Sequence, residues 1–136
     1  MSASRQVVIL GSTGSVGSST LDVIARHPQR FKVVALTAHR QIDALFNQCI
    51  AFQPQYAAVG DARGAEQLLA RLRAAGSATE VLCGEQALEQ VAALPQADTV
   101  MAAIVGIAGL LATFAAVQAG KRVLLATKEA LVTAGP

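Results

Sequence analysis

The chain has 136 residues, of which 53% are hydrophobic and 15% are charged, and its formal net charge is +2. This length predicts a single domain with a sizeable core, and so small a net charge, without a run of Lys or Arg, argues against a nucleic-acid partner. The two cysteines, Cys49 and Cys83, lack C-x-x-C spacing, so we expect small buried hydrophobic residues in a reducing compartment. The N-terminal residues lead directly into an apolar run without a secretory signal, which predicts a cytoplasmic location.

Short apolar runs alternate with segments of helical periodicity along the chain. The first run, 6–10, precedes a glycine-rich turn and a helix in which Val16, Thr20 and Ile24 recur at helical spacing. Further strands are predicted at 31–38, 56–59, 80–83, 100–105 and 122–126. Helices are predicted from 42 to shortly before 54, at 62–75 with Leu68, Leu69 and Leu72 inward, at 85–93, and at 110–118 as a buried helix. This alternation predicts a doubly wound α/β fold, a Rossmann-like nucleotide-binding domain with a parallel sheet.

The turn after the first strand, 11–17, reads Gly-Ser-Thr-Gly-Ser-Val-Gly. Glycine permits a tight turn and a close approach of the backbone to an anion, and the following helix presents free N–H groups and its positive dipole end. The G-x-x-G-x-x-G spacing differs from the G-x-G-x-x-G of the NAD fingerprint, and no Lys-Ser/Thr pair completes a P-loop. We therefore predict a dinucleotide phosphate loop that begins at Gly11, with a glycine-rich turn that binds no ligand as the alternative.

The stretch from Thr99 to Gly120 contains no charged residue and is about long enough to span a bilayer. Its glycines at 106 and 109 divide it into a strand and a helix. Its content of Ala, Gly and Thr makes a membrane span the weaker interpretation. No membrane partner is expected.

The end of the second predicted strand indicates which dinucleotide is bound. NAD-binding domains usually place Asp or Glu there, on the ribose hydroxyls, but no acid occurs from 31 to 41. His39 and Arg40 follow the strand instead, and a guanidinium can hold a 2′-phosphate with charge-assisted hydrogen bonds. This pattern predicts NADP, with Arg40 as the main phosphate contact and a solvated surface arginine as the alternative.

With these loops in place, the chain resembles the N-terminal domain of the 1-deoxy-D-xylulose 5-phosphate reductoisomerases. The resemblance is carried by segments 9–17 (ILGSTGSVG), 19–23 (STLDV), 101–106 (MAAIVG) and 128–132 (KEALV). It implies an NADPH-dependent oxidoreductase of non-mevalonate isoprenoid biosynthesis that converts its phosphorylated ketose substrate to 2-C-methyl-D-erythritol 4-phosphate. It also implies a divalent cation (Mg²⁺, Mn²⁺ or Co²⁺) and a homodimer.

The resemblance also assigns residues. It implies diphosphate contacts at Thr13, Gly14, Ser15 and Val16, and adenosine-phosphate contacts at His39, Arg40 and Gln41, where the family often has Gly, Lys and Asn. Lys128 matches a substrate-contacting lysine, and Glu129 a residue on the cofactor side. Thr127 stands where the family commonly has Asn, although its hydroxyl can still donate and accept hydrogen bonds.

The family's metal site is an acidic D-x-E motif with a further Glu, downstream of the Lys-Glu loop. The nine acidic residues here are scattered, and the two histidines show no ligand spacing. We therefore expect residues 1–136 to form an NADPH-binding domain without the catalytic and C-terminal domains, with no catalytic or metal-binding residue in this chain and no turnover by the chain alone.

Two other functions compete with this interpretation. One is a regulatory NADP-binding module, similar to redox sensors that resemble short-chain dehydrogenases. The other is a different NADP oxidoreductase, such as a semialdehyde dehydrogenase. A catalytic short-chain dehydrogenase is disfavoured because the single tyrosine, Tyr56, is followed four residues later by Gly60 instead of Lys.

Overall fold

The computed structural model describes residues 4–103 and 107–125, which form alternating strands and helices. The strands are β1 (Arg5–Leu10), β2 (Phe31–Ala38), β3 (Tyr56–Val59), β4 (Glu80–Cys83), β5 (Thr99–Ala102) and β6 (Arg122–Leu125). The helices are α1 (Ser15–Ala25), α2 (Ile42–Phe52), α3 (Ala62–Ala74), α4 (Glu85–Ala92) and α5 (Ile107–Gln118).

The strands form one parallel sheet in the order β4-β3-β2-β1-β5-β6. The chain runs from β1 outward to β4 and then returns to place β5 on the other side of β1, so the strand order reverses between β1 and β5. The crossover helices α1 to α3 therefore lie on one face of the sheet, and α4 and α5 lie on the other. A doubly wound sheet of this kind confirms the predicted fold class. Ligands in such folds bind outside the carboxyl ends of the strands, next to the reversal point.

Each face of the sheet has its own hydrophobic core. On one face, Leu21 of α1, Leu45 of α2 and Leu68 of α3 pack against alternate residues of the strands. On the other face, Val91 of α4 and Ala112 of α5 pack against the intervening strand residues. The central strands are buried on both sides, which explains their nearly continuous apolar sequences.

Helix α5 differs from the buried helix that we predicted. It turns the small residues Ala112 and Ala116 toward the core, whereas Leu110, Phe114 and Val117 are 68%, 59% and 56% exposed. A helix that is apolar on every side gives no periodic signal for its inward face. In the part of the chain that the structure describes, no helix is long and apolar enough to cross a membrane.

Two further predictions about burial were wrong. Leu69 is 39% exposed, although Leu68 and Leu72 are fully buried. Cys83 is exposed, whereas Cys49 is buried as predicted. Cys83 is the last residue of β4, which among the described residues is the outermost strand on its side of the sheet.

Candidate functional site

The carboxyl ends of β1 and β2 bring the two predicted cofactor loops together. The backbone N–H of Ser12 donates to the carbonyl oxygen of Thr37 (2.8 Å), and the N–H of Gly11 donates to Thr37 Oγ1 (2.7 Å). Since His39 and Arg40 follow Thr37 by two and three residues, the β1–α1 loop and the β2–α2 loop start from adjacent points of one sheet edge. The other side of the β1–α1 loop adjoins β5, where the N–H of Ala103 donates to the carbonyl oxygen of Leu10 (2.9 Å).

The three glycines of the β1–α1 loop meet different geometric demands. Gly11 has φ 78°, a left-handed conformation that favours glycine. A Cβ atom at Gly17 would lie 2.0 Å from the carbonyl oxygen of Gly11 and 2.7 Å from the Cα of Ser12, so α1 packs directly on the loop. A Cβ atom at Gly14 would have only the Gly11 oxygen near it, at 3.9 Å. The protein itself therefore requires glycine at 11 and 17, while the exposed position 14 leaves room for a ligand.

The first turn of α1 is open to an anion. Gly14 is the N-cap residue, and in the described chain no side chain caps this helix. By contrast, Asp61 caps α3 and accepts a hydrogen bond from the N–H of Gly64 (2.6 Å). The first N–H groups of an uncapped helix need a partner, and together with the helix dipole they favour a phosphate. Thr13 and Val16 are half-buried and Ser15 is exposed at this turn.

A buried polar network supports the loop, and we did not predict it from the sequence. Ser12 is fully buried. Its hydroxyl donates to Gln48 Oε1 on α2 (2.6 Å), and Gln48 Nε2 donates to the carbonyl oxygen of Ser12 (2.9 Å). The sequence contained one signal for this contact, because the polar residue Gln48 lies next to the inward-facing residues Leu45 and Cys49 on α2.

The β2–α2 loop borders a cleft of about 460 Å³ that is lined by Arg40, Gln41, Ile42, Asp43, Ala44 and Gln67. Arg40 is exposed, and it forms none of the ion pairs found among the described residues. The carboxylate of Asp43 pairs instead with Arg71, whose guanidinium also lies 4.3 Å from the ring centre of Phe46. The cleft therefore combines an exposed guanidinium with the N-terminus of α2, and both attract an anion.

His39 is placed differently from Arg40. It is exposed, but its imidazole packs against Gly60 after β3, where a Cβ atom would lie 2.3 Å from His39 Nδ1. The N–H of Gly60 also donates to the carbonyl oxygen of His39 (3.3 Å). Gln41 is exposed and is the N-cap residue of α2. His39 thus connects the end of β2 to the end of β3 through its contacts with Gly60.

The remaining predicted site residues, Thr127, Lys128 and Glu129, lie outside the described residues. Within the described residues, no group of three or more His, Cys, Asp or Glu side chains could hold a metal ion.

The sheet order, the glycine loop on α1 and the polar end of β2 define a Rossmann-like α/β domain, the class of fold that binds dinucleotides at this edge. The family model described as 1-deoxy-D-xylulose 5-phosphate reductoisomerase matches residues 7–135, and the chain belongs to this family. The resemblance read from the sequence motifs is thereby confirmed, and the semialdehyde dehydrogenase and redox-sensor alternatives are disfavoured.

Relatives and solved structures agree with this assignment. The chain is 63% identical over 133 residues to the 1-deoxy-D-xylulose 5-phosphate reductoisomerase of Methylococcus capsulatus, covering 97% of this chain and 34% of the relative. It is 60% identical over 135 residues to that of Nitrosomonas europaea, covering 99% of this chain and 33% of the relative. The chain thus spans about a third of the length of these relatives.

Two solved structures of reductoisomerases, which are 45% and 43% identical in sequence to this chain, show the same fold. The reductoisomerase from Zymomonas mobilis in complex with NADPH superposes with a TM-score of 0.85 at 45% identity, covering 98% of this chain and 35% of that structure. A reductoisomerase in complex with NADPH, fosmidomycin and magnesium superposes with a TM-score of 0.86 at 43% identity, covering 96% and 32%.

Proposed function

We propose that residues 1–136 form an NADPH-binding domain and that the diphosphate of the cofactor is held by the β1–α1 loop. Gly11 makes the turn, and Thr13, Gly14, Ser15 and Val16 surround the anion with backbone N–H groups and hydroxyls. The observation that carries this proposal is the N-terminus of α1, which no side chain of the described residues caps and which is joined through Thr37 to the loop that carries Arg40. The Zymomonas mobilis relative, solved with NADPH, supports the choice of ligand.

We assign the 2′-phosphate of NADPH to the β2–α2 loop. Arg40 supplies the charge, Gln41 and the N-terminus of α2 supply hydrogen-bond donors, and His39 closes the side next to Gly60. Asp43 also lines the cleft, and its pairing with Arg71 reduces its repulsion of a phosphate. NADH lacks this phosphate and makes no use of the guanidinium.

In a complete enzyme of this family, we propose that the bound NADPH serves the conversion of 1-deoxy-D-xylulose 5-phosphate to 2-C-methyl-D-erythritol 4-phosphate. The nicotinamide supplies the hydride, while this chain binds and orients the cofactor. Three assignments remain predictions, namely the substrate contact of Lys128 and the cofactor contacts of Thr127 and Glu129. The homodimer and the cytoplasmic location also remain predictions. Within the described residues no group of three or more His, Cys, Asp or Glu side chains could hold a metal ion, and we assign no step of the reaction to a metal in this chain. That the 136 residues alone do not turn over substrate also remains a prediction.

A calorimetric titration of the chain with NADPH and with NADH tests the assignment. Arg40→Asp removes charge-assisted hydrogen bonds and adds repulsion, so NADPH affinity should fall by about 10- to 100-fold. NADH affinity should change by less than about threefold. Arg30→Asp is the matched control, because Arg30 is exposed and precedes β2 at the opposite edge of the sheet. Equal losses for NADPH and NADH would refute the 2′-phosphate contact, and absence of NADPH binding by the unaltered chain would refute the function.

A further inference from the structure

We infer that Gln48 is a positioning residue that fixes the diphosphate loop at a set distance from the 2′-phosphate loop. This inference rests on the proposed function, and it concerns a side chain that contacts neither phosphate group in our assignment. Gln48 acts through Ser12, the loop residue whose backbone connects Gly11 to Thr13.

The contact between Gln48 and Ser12 is reciprocal. The amide oxygen of Gln48 accepts from the Ser12 hydroxyl, and its amide nitrogen donates to the Ser12 carbonyl oxygen. One side chain therefore bonds both the hydroxyl and the carbonyl oxygen of a fully buried residue. Two such bonds restrict the rotation of the loop backbone in a way that one bond cannot.

The contact matters for binding because Gln48 lies on the helix that follows the 2′-phosphate loop. Helix α2 starts at Ile42, directly after Arg40 and Gln41. The same rigid helix therefore carries the 2′-phosphate loop at its N-terminus and, less than two turns later, the side chain that holds Ser12. A ligand that spans both loops needs their separation to be fixed in advance, whereas a ligand that contacts only one loop does not.

Loss of the amide should loosen this arrangement without unfolding the loop. In the absence of Gln48, the Ser12 hydroxyl can still donate to the carbonyl oxygen of Thr37 (3.2 Å), and the Ser12 carbonyl can still accept from Ser18 Oγ (3.3 Å). These distances are longer than those to Gln48 (2.6 and 2.9 Å). Gln48→Met keeps the length of the side chain and removes both hydrogen bonds.

The experiment compares two ligands, NADPH and adenosine 2′-monophosphate, which lacks the diphosphate. In Gln48→Met, NADPH affinity measured by calorimetry should fall by about tenfold. Binding of adenosine 2′-monophosphate, measured by NMR titration, should change by less than about twofold. Gln90→Met is the matched control, since Gln90 is exposed on α4 at the other face of the sheet, and it should leave both affinities unchanged.

A double-mutant cycle identifies Ser12 as the intermediary. Ser12→Ala removes the hydroxyl that donates to Gln48 Oε1 and leaves the carbonyl oxygen that accepts from Gln48 Nε2. If Gln48 acts through Ser12, the loss of NADPH binding free energy in Ser12→Ala/Gln48→Met should be smaller than the sum of the two single losses, and additive losses would overturn the inference. Gln48→Glu, which keeps the acceptor for the Ser12 hydroxyl but loses the donor to its carbonyl, provides a test if Gln48→Met does not fold. It should weaken NADPH binding and spare adenosine 2′-monophosphate in the same manner.

The outcomes separate this inference from the function on which it rests. If the unaltered chain does not bind NADPH, the proposed function fails. If it does bind, the inference is overturned by a Gln48 variant that retains NADPH affinity, or by one that loses affinity for both ligands in parallel. A parallel loss would mean that Gln48 supports the fold in general.

Discussion

Alanine substitution at two glycines of the same loop separates the demands of the fold from those of the ligand. At Gly17, the new Cβ atom would meet the carbonyl oxygen of Gly11 at 2.0 Å and the Cα of Ser12 at 2.7 Å. Both atoms belong to the backbone, so no side chain can rotate away. At Gly14, the nearest atom is 3.9 Å away, and the backbone angles (φ −70°, ψ 170°) are open to alanine.

The expected stability changes follow from these distances. Forcing a methyl group into such a contact costs about 3 kcal/mol, the upper end for overpacking. Alanine regains about 1 kcal/mol over glycine inside a helix. Gly17→Ala should therefore lower the free energy of unfolding by about 2 kcal/mol, which corresponds to about 8 °C in Tm for a chain of this size. Gly14→Ala should change the free energy of unfolding by less than about 0.5 kcal/mol.

At position 14, the substitution should weaken NADPH binding although it leaves the stability of the fold nearly unchanged. The methyl group of Gly14→Ala would stand in front of the first N–H groups of α1, where we place the diphosphate. NADPH affinity should fall by about tenfold, while the stability is retained. Urea denaturation followed by circular dichroism gives the free energy of unfolding, and calorimetric titration gives the affinity.

Two results would refute this reasoning. A Gly17→Ala variant as stable as the unaltered chain would mean that α1 does not pack on the loop as the structure shows. A Gly14→Ala variant that binds NADPH with unaltered affinity would mean that the diphosphate does not approach the N-terminus of α1.

Two further predictions concern groups outside the site. Burial raises the pKa of the Cys49 thiol to about 12, so iodoacetamide at neutral pH should label only the exposed Cys83 in the folded chain and both thiols in urea, as counted by mass spectrometry. Labelling of Cys49 without denaturant would contradict its burial. Asp61→Ala removes the cap on Gly64 and should cost about 1 kcal/mol of unfolding free energy. Asp22→Ala, which breaks only an exposed ion pair, should cost less than about 0.5 kcal/mol, and equal costs would count against the cap.

The positions of the strands could be predicted from the sequence because each strand contains a short run of apolar residues. The second strand ends directly before His39 and Arg40, and the third ends directly before Gly60. These local signals also place two loops at one edge, since parallel strands joined by right-handed crossovers all end on the same side. The position of the loop that carries Arg40, at the same edge as the β1–α1 loop, follows from that topology.

Contacts between residues that are distant in the sequence could not be predicted from these local signals. The partner of Ser12 lies 36 residues away on another helix, and no periodic pattern relates the two positions. The prediction that α5 is a buried helix was wrong for a different reason. Its composition is apolar on all sides, so only the packed structure shows that the small side chains of Ala112 and Ala116 face the sheet and that Phe114 does not.

The two halves of the proposed site are built from different parts of the chain, and this has a consequence for cofactor choice. The diphosphate site that we propose depends on backbone N–H groups, so its shape is set by the glycines and by the buried network around Ser12. The 2′-phosphate site that we propose depends on Arg40, whose side chain is exposed. A substitution at Arg40 can therefore change the preference between NADPH and NADH while leaving the fold intact, whereas a substitution at Gly17 alters the fold before it alters the preference.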